Sequence, residues 1–164
     1  MKLNFLVGAF AISMAILATG CAQQPRAAGD TSSLADILVE VGPCHGKCPV
    51  YSVDISEDGT TRFTGRQFTA IDGERVRTSD PERFALVRQQ LSSWQPVMGT
   101  EIETPDCGPR ATDLSHYTVT WTNLKGEKAI LKHDSGCHSD DARRLTQRLR
   151  ALPQTLGIEE WVRR

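Results

Sequence analysis

The stretch that decides the fold is 44–59, which reads CHGKCPVYSVDISEDG. Within it, Tyr51, Val53 and Ile55 alternate with polar residues, and this period of two is typical of a half-buried β-strand. Asp58-Gly59 follows soon after, and Asp-Gly dipeptides favour the tight turn of a β-hairpin. The stretch therefore predicts a loop bounded by two cysteines, then a strand, then a turn into an antiparallel partner.

Working outward from this stretch, hydrophobic periodicity and turn residues predict four strands, a helix, two strands and a helix, the order ββββαββα. The strands are expected near 37–41, 51–55, 60–68, 74–78, 116–122 and 127–133, and the helices from 79 to 94 and from 139 onward, with a last short helix within 155–162. Pro153 is expected to end or kink the second long helix, and 95–112 is expected to be a long connection. These elements predict an α+β fold, in which an antiparallel sheet of about six strands carries helices packed on one face.

The composition is that of one ordinary globular domain. Hydrophobic residues make up 39% of the 164 residues, and 19 Lys and Arg balance 20 Asp and Glu. The net charge of −1 argues against a nucleic-acid partner held through phosphate contacts. The excess of arginine after residue 142 is the usual pattern of a solvated helix face. We therefore expect no nucleic-acid partner and no cofactor.

The first 20 residues have the pattern of an export signal. Lys2 precedes an apolar run from Phe5 to Leu17, and small residues then lead to Cys21. Small residues that end in a cysteine resemble the lipobox of bacterial lipoproteins, which implies that Cys21 carries a palmitate-type lipid and becomes the first mature residue. Ala22 after that cysteine implies sorting to the outer membrane. Simple secretion with a free N-terminus is the alternative.

The mature chain divides into a tether and one domain. Residues 21–33 are small and polar and are expected to form a flexible tether, and 34–164 is expected to form a single α+β domain. The chain is thus expected to face the periplasm from the bacterial cell envelope, held to the membrane by its N-terminal lipid. An envelope protein or a glycan is the expected partner.

Four cysteines lie in this domain: Cys44, Cys48, Cys107 and Cys137. An even number in an oxidising compartment favours two disulfides, for which three connectivities are possible. The positions of the loops favour the local pairing of Cys44 with Cys48 and of Cys107 with Cys137. Removal of a bridge closing the longer loop would destabilise the domain by roughly 3 to 4 kcal/mol in the chain-entropy model.

A metal site is the alternative use of the same residues. Cys44, His45, Cys48, Cys137 and His138, together with Asp106 and Cys107, would supply ligands from three loops, and a spacing of three residues between cysteines suits tetrahedral zinc. A thiol redox role ranks below it, because thioredoxin-type motifs place two residues between the cysteines.

The residues 44–55, CHGKCPVYSVDI, followed by Asp58-Gly59, resemble the opening signature of the bacterial domain of unknown function 6438. In that family a Cys-X-Gly-X-Cys-Pro-X-Tyr loop leads into a strand and an Asp-Gly turn. The resemblance extends over Leu34 to Val162. The family has no established activity, so the resemblance implies a secreted or lipoprotein domain and no particular chemistry.

Catalytic residue types are present without a recognisable arrangement. The loop 133–138, HDSGCH, contains a histidine, an acid and two nucleophile types, but adjacent residues of an extended chain point apart. Glu101, Glu103 and Asp106 could supply paired carboxylates for glycan hydrolysis. We therefore predict a non-catalytic binding or interaction module of the envelope. A metal-binding protein or an enzyme that uses the Cys44–Cys48 loop with His45, Cys137 and His138 is the alternative.

Overall fold

The computed structural model describes residues 34–78 and 81–163, which form a seven-stranded sheet and three helices. The strands are β1 (Leu34–Val41), β2 (Val50–Ser56), β3 (Thr61–Gln67), β4 (Gly73–Arg77), β5 (Glu101–Glu103), β6 (His116–Asn123) and β7 (Lys128–Asp134). The helices are α1 (Pro81–Leu91), which continues into a 3₁₀ turn at Ser92–Trp94, α2 (Asp140–Leu156) and α3 (Glu159–Val162). The order of strands across the sheet is β4-β3-β2-β1-β6-β7-β5.

The α+β prediction is confirmed, and the strand count needs a correction. The segment 95–112, expected to be a connection, contains β5, a three-residue strand at the edge of the sheet. β5 pairs parallel with β7, so the sheet is not wholly antiparallel. Further backbone hydrogen bonds hold this segment, from Gly99 N to Lys128 O (2.8 Å) and from Thr104 N to Lys132 O (2.9 Å). The strand is therefore stabilised by contacts with β7, which the sequence of its own three residues does not predict.

The hairpin that the Asp-Gly turn predicts is present. β2 and β3 pair antiparallel, and the connection closes with a hydrogen bond from Ser56 N to Thr60 O at 2.9 Å. Gly59 has φ of 83°, a left-handed conformation that costs glycine little because it lacks a Cβ. The turn chemistry thus fixes the register of the strand that follows the cysteine loop.

The core lies between one face of the sheet and the helices. Alternate strand residues point to that face and are buried, in keeping with the period of two. They form one cluster with apolar residues of α1 and α2, which include Phe84, Val87, Leu91, Leu145, Leu149, Leu152 and Leu156. The largest fully buried side chains are Trp121 in β6 and Phe63 in β3. Full burial of a side chain of this size stabilises the fold by roughly 1.5 to 3 kcal/mol.

Helix α2 begins and ends with standard caps. The Ser139 hydroxyl accepts a hydrogen bond from Ala142 N at 3.2 Å, and Gly157, with φ of 64°, follows the last helical residue. Of the two outcomes expected at Pro153, an end or a kink, the first is wrong, because α2 continues past this residue to Leu156. The chain then enters α3, where Trp161 O accepts a hydrogen bond from Ile71 N at 3.0 Å and so ties the C-terminus to the β3–β4 connection.

Several predictions fall on residues outside the described ranges. These are the signal peptide 1–20, the lipidated Cys21 with the tether 21–33, and the Ser79-Asp80 start of the first helix. In 34–78 and 81–163, no helix is long and apolar enough to cross a membrane.

Candidate functional site

The four cysteines of the domain form two disulfides. Cys44 is bonded to Cys48, with their Cα atoms 5.8 Å apart, and Cys107 to Cys137, with their Cα atoms 4.6 Å apart. This is the local pairing among the three that the sequence allows. The first bridge closes the loop between β1 and β2, and the second ties the β5–β6 connection to the loop after β7.

The Cys44–Cys48 loop is fastened to the end of the sheet. His45 N donates to Asp113 O at 3.1 Å, which links this loop to the segment before β6. Gly42 N donates to His116 O at 2.8 Å close by. The loop therefore lies beside the start of both β2 and β6, where a cavity opens.

This main cavity has a volume of about 520 Å³ and lies between the end of the sheet and the C-terminal helices. Its walls come from the ends of β1, β2 and β6, from the segments that precede β2 and β6, and from α2, α3 and the residue after α3. The lining residues are Val41, Cys48, Pro49, Tyr51, Leu114, Ser115, Tyr117, Arg150, Pro153, Gln154, Glu159, Val162 and Arg163. A volume of this size is within the range of sites for small molecules.

Two tyrosines from neighbouring parts of the sheet line the main cavity. Tyr51 and Tyr117 are each 6% exposed, and burial raises the pKa of both hydroxyls above the usual value. The Tyr51 ring packs on Phe63, with ring centroids 5.4 Å apart. Arg150 lies close enough to Tyr117 for its positive charge to offset part of the effect of burial on the pKa of that hydroxyl. Both hydroxyls are therefore neutral donors at physiological pH.

Charged groups also line the main cavity. Arg150 and Arg163 supply two guanidinium groups, and Glu159 supplies one carboxylate. Among the residues that the structure describes, neither arginine forms an ion pair. At the other end of α2, by contrast, Arg143 and Arg144 pair with acids of the first helical turn. In the described part of the chain, no carboxylate is therefore paired directly with either of these two cations.

A second cavity, of about 320 Å³, lies beside the Cys107–Cys137 bridge. Asp134 is its central charge. One carboxylate oxygen accepts a hydrogen bond from Gly136 N at 2.8 Å, and the other lies 3.7 Å from Arg110 and 4.0 Å from His116 Nδ1. Because Asp134 faces a permanent cation and a backbone donor, its charge is already satisfied within the protein.

His133 lies beneath this second cavity and is only 1% exposed. Its Nδ1 lies 2.7 Å from the Thr104 hydroxyl, and its Nε2 lies 2.7 Å from the Thr146 hydroxyl in α2. Burial lowers the pKa of this imidazole to about 4. A buried neutral histidine with both nitrogens in hydrogen bonds joins three parts of the fold, and it is not placed to exchange protons with a substrate.

The residues of the metal hypothesis do not converge. The sulfurs of Cys44, Cys48 and Cys137 are in disulfides, and the side chains of His45 and His138 are on exposed residues. Across 34–78 and 81–163, no group of three or more histidine, cysteine, aspartate or glutamate side chains is placed to hold a metal ion. A sulfur in a disulfide is not a thiolate and cannot serve as a thiolate ligand, which is the physical reason why the structure does not support the metal hypothesis.

Residues of the catalytic alternatives make local contacts within the fold. In the loop 133–138, the Ser135 hydroxyl donates to Ser115 O at 2.7 Å rather than to a base. Glu101 pairs with Lys132 across the β5–β7 pair, and Asp106 has a left-handed backbone with φ of 51° in the loop beyond β5. The Ser135 hydroxyl and the Glu101 carboxylate therefore hold local structure, as polar side chains often do.

The residues that sequence reasoning missed are those that line the main cavity. Tyr51 and Tyr117 were expected on strands, facing the same way as apolar neighbours, but not beside each other at a cavity. Arg150 was expected only as part of a solvated helix face. The sequence did contain one signal: Tyr51 and Tyr117 each lie near the start of a predicted strand, on the face that is expected to be buried. A tyrosine is buried most favourably where its hydroxyl can reach a hydrogen-bond partner.

Comparison with known proteins gives one positive finding. A family model described as "Domain of unknown function (DUF6438)" matches residues 35–153, which is most of the chain. No curated protein matches the chain. The matched range includes the Cys44–Cys48 loop, both tyrosines and Arg150.

Proposed function

The chain belongs to the family described as Domain of unknown function (DUF6438), and on that premise we propose that it is a non-catalytic binding module of the bacterial cell envelope. The main cavity is the observation that carries this proposal. It joins apolar walls to a few polar groups, the usual composition of a small-molecule site.

The polar groups of the main cavity suit binding better than catalysis. Tyr51 and Tyr117 are neutral donors, and a guanidinium stays protonated at any physiological pH, so neither residue type here can serve as a general base. The lining includes one serine, Ser115, and no histidine that could activate its hydroxyl. Glu159 is the one acid of the lining.

The envelope location is proposed from the N-terminal sequence and the disulfides together. A lipidated Cys21 and the tether 21–33 would hold the domain at the outer membrane, on the periplasmic side, with an envelope protein or glycan within reach. Two disulfides suit that oxidising compartment. The intact mass of the chain purified from bacterial membranes tests this point: loss of residues 1–20 and an added lipid are expected, and the Cys21→Ser variant should lack the lipid. An unprocessed or lipid-free wild-type chain would contradict the anchor.

Binding in the main cavity is tested by thermal unfolding of the full chain, purified in a mild detergent, against single amino acids, dipeptides, monosaccharides and small organic acids. Leu114 lines the main cavity, whereas Leu124 lies in the turn between β6 and β7 and is 67% exposed. Leu114→Glu is therefore the cavity variant and Leu124→Glu its matched control.

We expect at least one compound to raise the Tm of the wild type and of Leu124→Glu but not that of Leu114→Glu, because binding to the folded state stabilises it by mass action. Mass spectrometry should recover that compound unchanged. Chemical conversion of a compound by the wild type, lost in Leu114→Glu, would contradict the non-catalytic proposal. Equal Tm shifts in both variants would place binding outside the main cavity.

A further inference from the structure

The cations of the main cavity point to the class of ligand. Resting on the proposed function, we propose that the cavity binds a small organic monocarboxylate with an apolar body, and that the Arg150 guanidinium holds the carboxylate.

The charges of the lining favour a ligand with one negative charge. Arg150 and Arg163 contribute two positive charges and Glu159 one negative charge. Neither arginine has an ion-pair partner among the described residues. One positive charge therefore remains to be neutralised, and Glu159 would repel a second negative charge on the ligand.

Arg150 is better placed than Arg163 for a specific contact. Its guanidinium lies close enough to Tyr117, a residue only 6% exposed at the start of β6, to offset part of the rise that burial causes in the pKa of that hydroxyl. A planar guanidinium matches the two oxygens of a carboxylate with two parallel hydrogen bonds.

Tyr51 supplies a further donor beside this group. It lines the same cavity as Tyr117, and its hydroxyl has no hydrogen-bond partner among the described residues. This hydroxyl is not one of the fully buried unpaired polar atoms in the described part of the chain, so it reaches the open space of the cavity, where a ligand acceptor can take the place of water. A carboxylate oxygen is such an acceptor.

The remaining walls suit an apolar ligand body. Val41, Pro49, Leu114, Pro153 and Val162 surround the polar groups. Burial of a ring or short alkyl chain against them contributes roughly 25 cal/mol for each Å² removed from water. A cavity of about 520 Å³ holds a ligand of that kind with space for water.

The test compares phenylacetate with phenylacetamide, which has the same shape but no charge, by ligand-observed NMR titration of the full chain in mild detergent. Micelles without protein serve as the blank. Arg150→Gln removes the guanidinium from the cavity. Arg148→Gln is the matched control, because Arg148 is also exposed on α2 and without an ion pair, yet does not line the cavity. Residues two apart on a helix do not share a face.

We expect phenylacetate to bind the wild type and Arg148→Gln at least about tenfold more tightly than phenylacetamide, and Arg150→Gln to lose this preference, as a hydrogen bond to a charged group implies. Arg150→Lys should restore part of the preference through charge alone. Unchanged Tm values would show that all three variants fold.

Three results would overturn this inference. Equal binding of the two compounds to the wild type, or an undiminished preference in Arg150→Gln, would mean that the cavity does not select a carboxylate, while the proposed binding module would stand. Binding of neither compound would reject this ligand class, and the proposed function would then depend on the Leu114→Glu comparison with the other compounds.

Discussion

The two disulfides of this domain close loops of very different length. Cys44 and Cys48 are separated by 4 positions in the sequence, whereas Cys107 and Cys137 are separated by 30. In the chain-entropy model, the stabilisation grows with the logarithm of the loop length, so it is about 2 kcal/mol for the short loop and about 3.5 kcal/mol for the long one. The longer loop should therefore matter more for stability.

The long bridge is also the more firmly embedded of the two. Cys137 is 3% exposed, and backbone hydrogen bonds run beside its bridge from Ala111 N to Gly136 O (3.1 Å) and from His138 N to Cys107 O (3.0 Å). The short bridge lies at the rim of the main cavity, which Cys48 lines. One bridge therefore fastens a long irregular segment to the fold, whereas the other shapes a wall of the candidate site.

The largest expected effect is on the long bridge. The double variant Cys107→Ala/Cys137→Ala should lower the free energy of unfolding by about 3.5 kcal/mol, because its unfolded chain regains the entropy of a large loop. Urea denaturation of the full chain under non-reducing conditions measures this loss. A loss no greater than that of the Cys44→Ala/Cys48→Ala variant would contradict the claim that the long bridge stabilises the domain more than the short one.

A slightly smaller loss in the free energy of unfolding is expected at acidic pH, from the protonation of His133 near the long bridge. Since the folded pKa of His133 is lowered to about 4 from the usual 6.5, the unfolded state takes up the proton first as the pH falls. Stability from this residue is complete above pH 6.5 and is lost as the pH falls towards 4, by up to about 3 kcal/mol. Thr104 contacts this imidazole, so protonation weakens the same segment that Cys107 fastens.

Urea denaturation at about pH 7 and about pH 4.5 measures this acid effect. His133→Gln should be less stable at the higher pH and lose less stability on acidification than the wild type. His45→Gln is the control, since His45 is an exposed histidine in the other disulfide loop. The same pH dependence in His133→Gln and in the wild type would show that His133 does not cause the acid effect.

The smallest expected change in stability comes from the short bridge. The double variant Cys44→Ala/Cys48→Ala should lose only about 2 kcal/mol. Its ligand response should suffer more, because Cys48 and Pro49 would no longer be held at the wall of the main cavity. The Tm shift given by a compound that stabilises the wild type measures this response. An undiminished shift would mean that the bridge does not shape the site.

Most of the fold could be predicted because its signals are local. Alternation at Tyr51, Val53 and Ile55 and the Asp58-Gly59 turn located the central hairpin, and the Ser139 cap located the start of α2. The strand β5 escaped prediction because its three residues lie in a segment with several prolines and glycines, and because their partner is β7, which follows later in the chain. The continuation of α2 past Pro153 was also not predicted, because the rule that proline ends or kinks a helix does not consider the packing of the residues that follow, such as the buried Leu156.

The candidate site was harder to predict because it depends on contacts between distant residues. Tyr117 and Arg150 are far apart in sequence, and only the packing of α2 on the sheet brings them together. Likewise, the strand pattern gave His133 a place in β7 but not its contact with Thr146 in α2. A sequence pattern predicts which face of the sheet a side chain lies on. It does not predict which distant residues pack against that side chain, and the site depends on those contacts.

The outer strands of the sheet bear on self-association. An exposed edge strand is a template for aggregation, and short or charged strands reduce that hazard. β5 has only three residues, and β4, at the opposite edge, carries Glu74, Arg75 and Arg77 among its five. Pairing of two such edges would bring charges together and gain few hydrogen bonds. The short length of β5 and the charges of β4 therefore disfavour growth of the sheet from one molecule into the next.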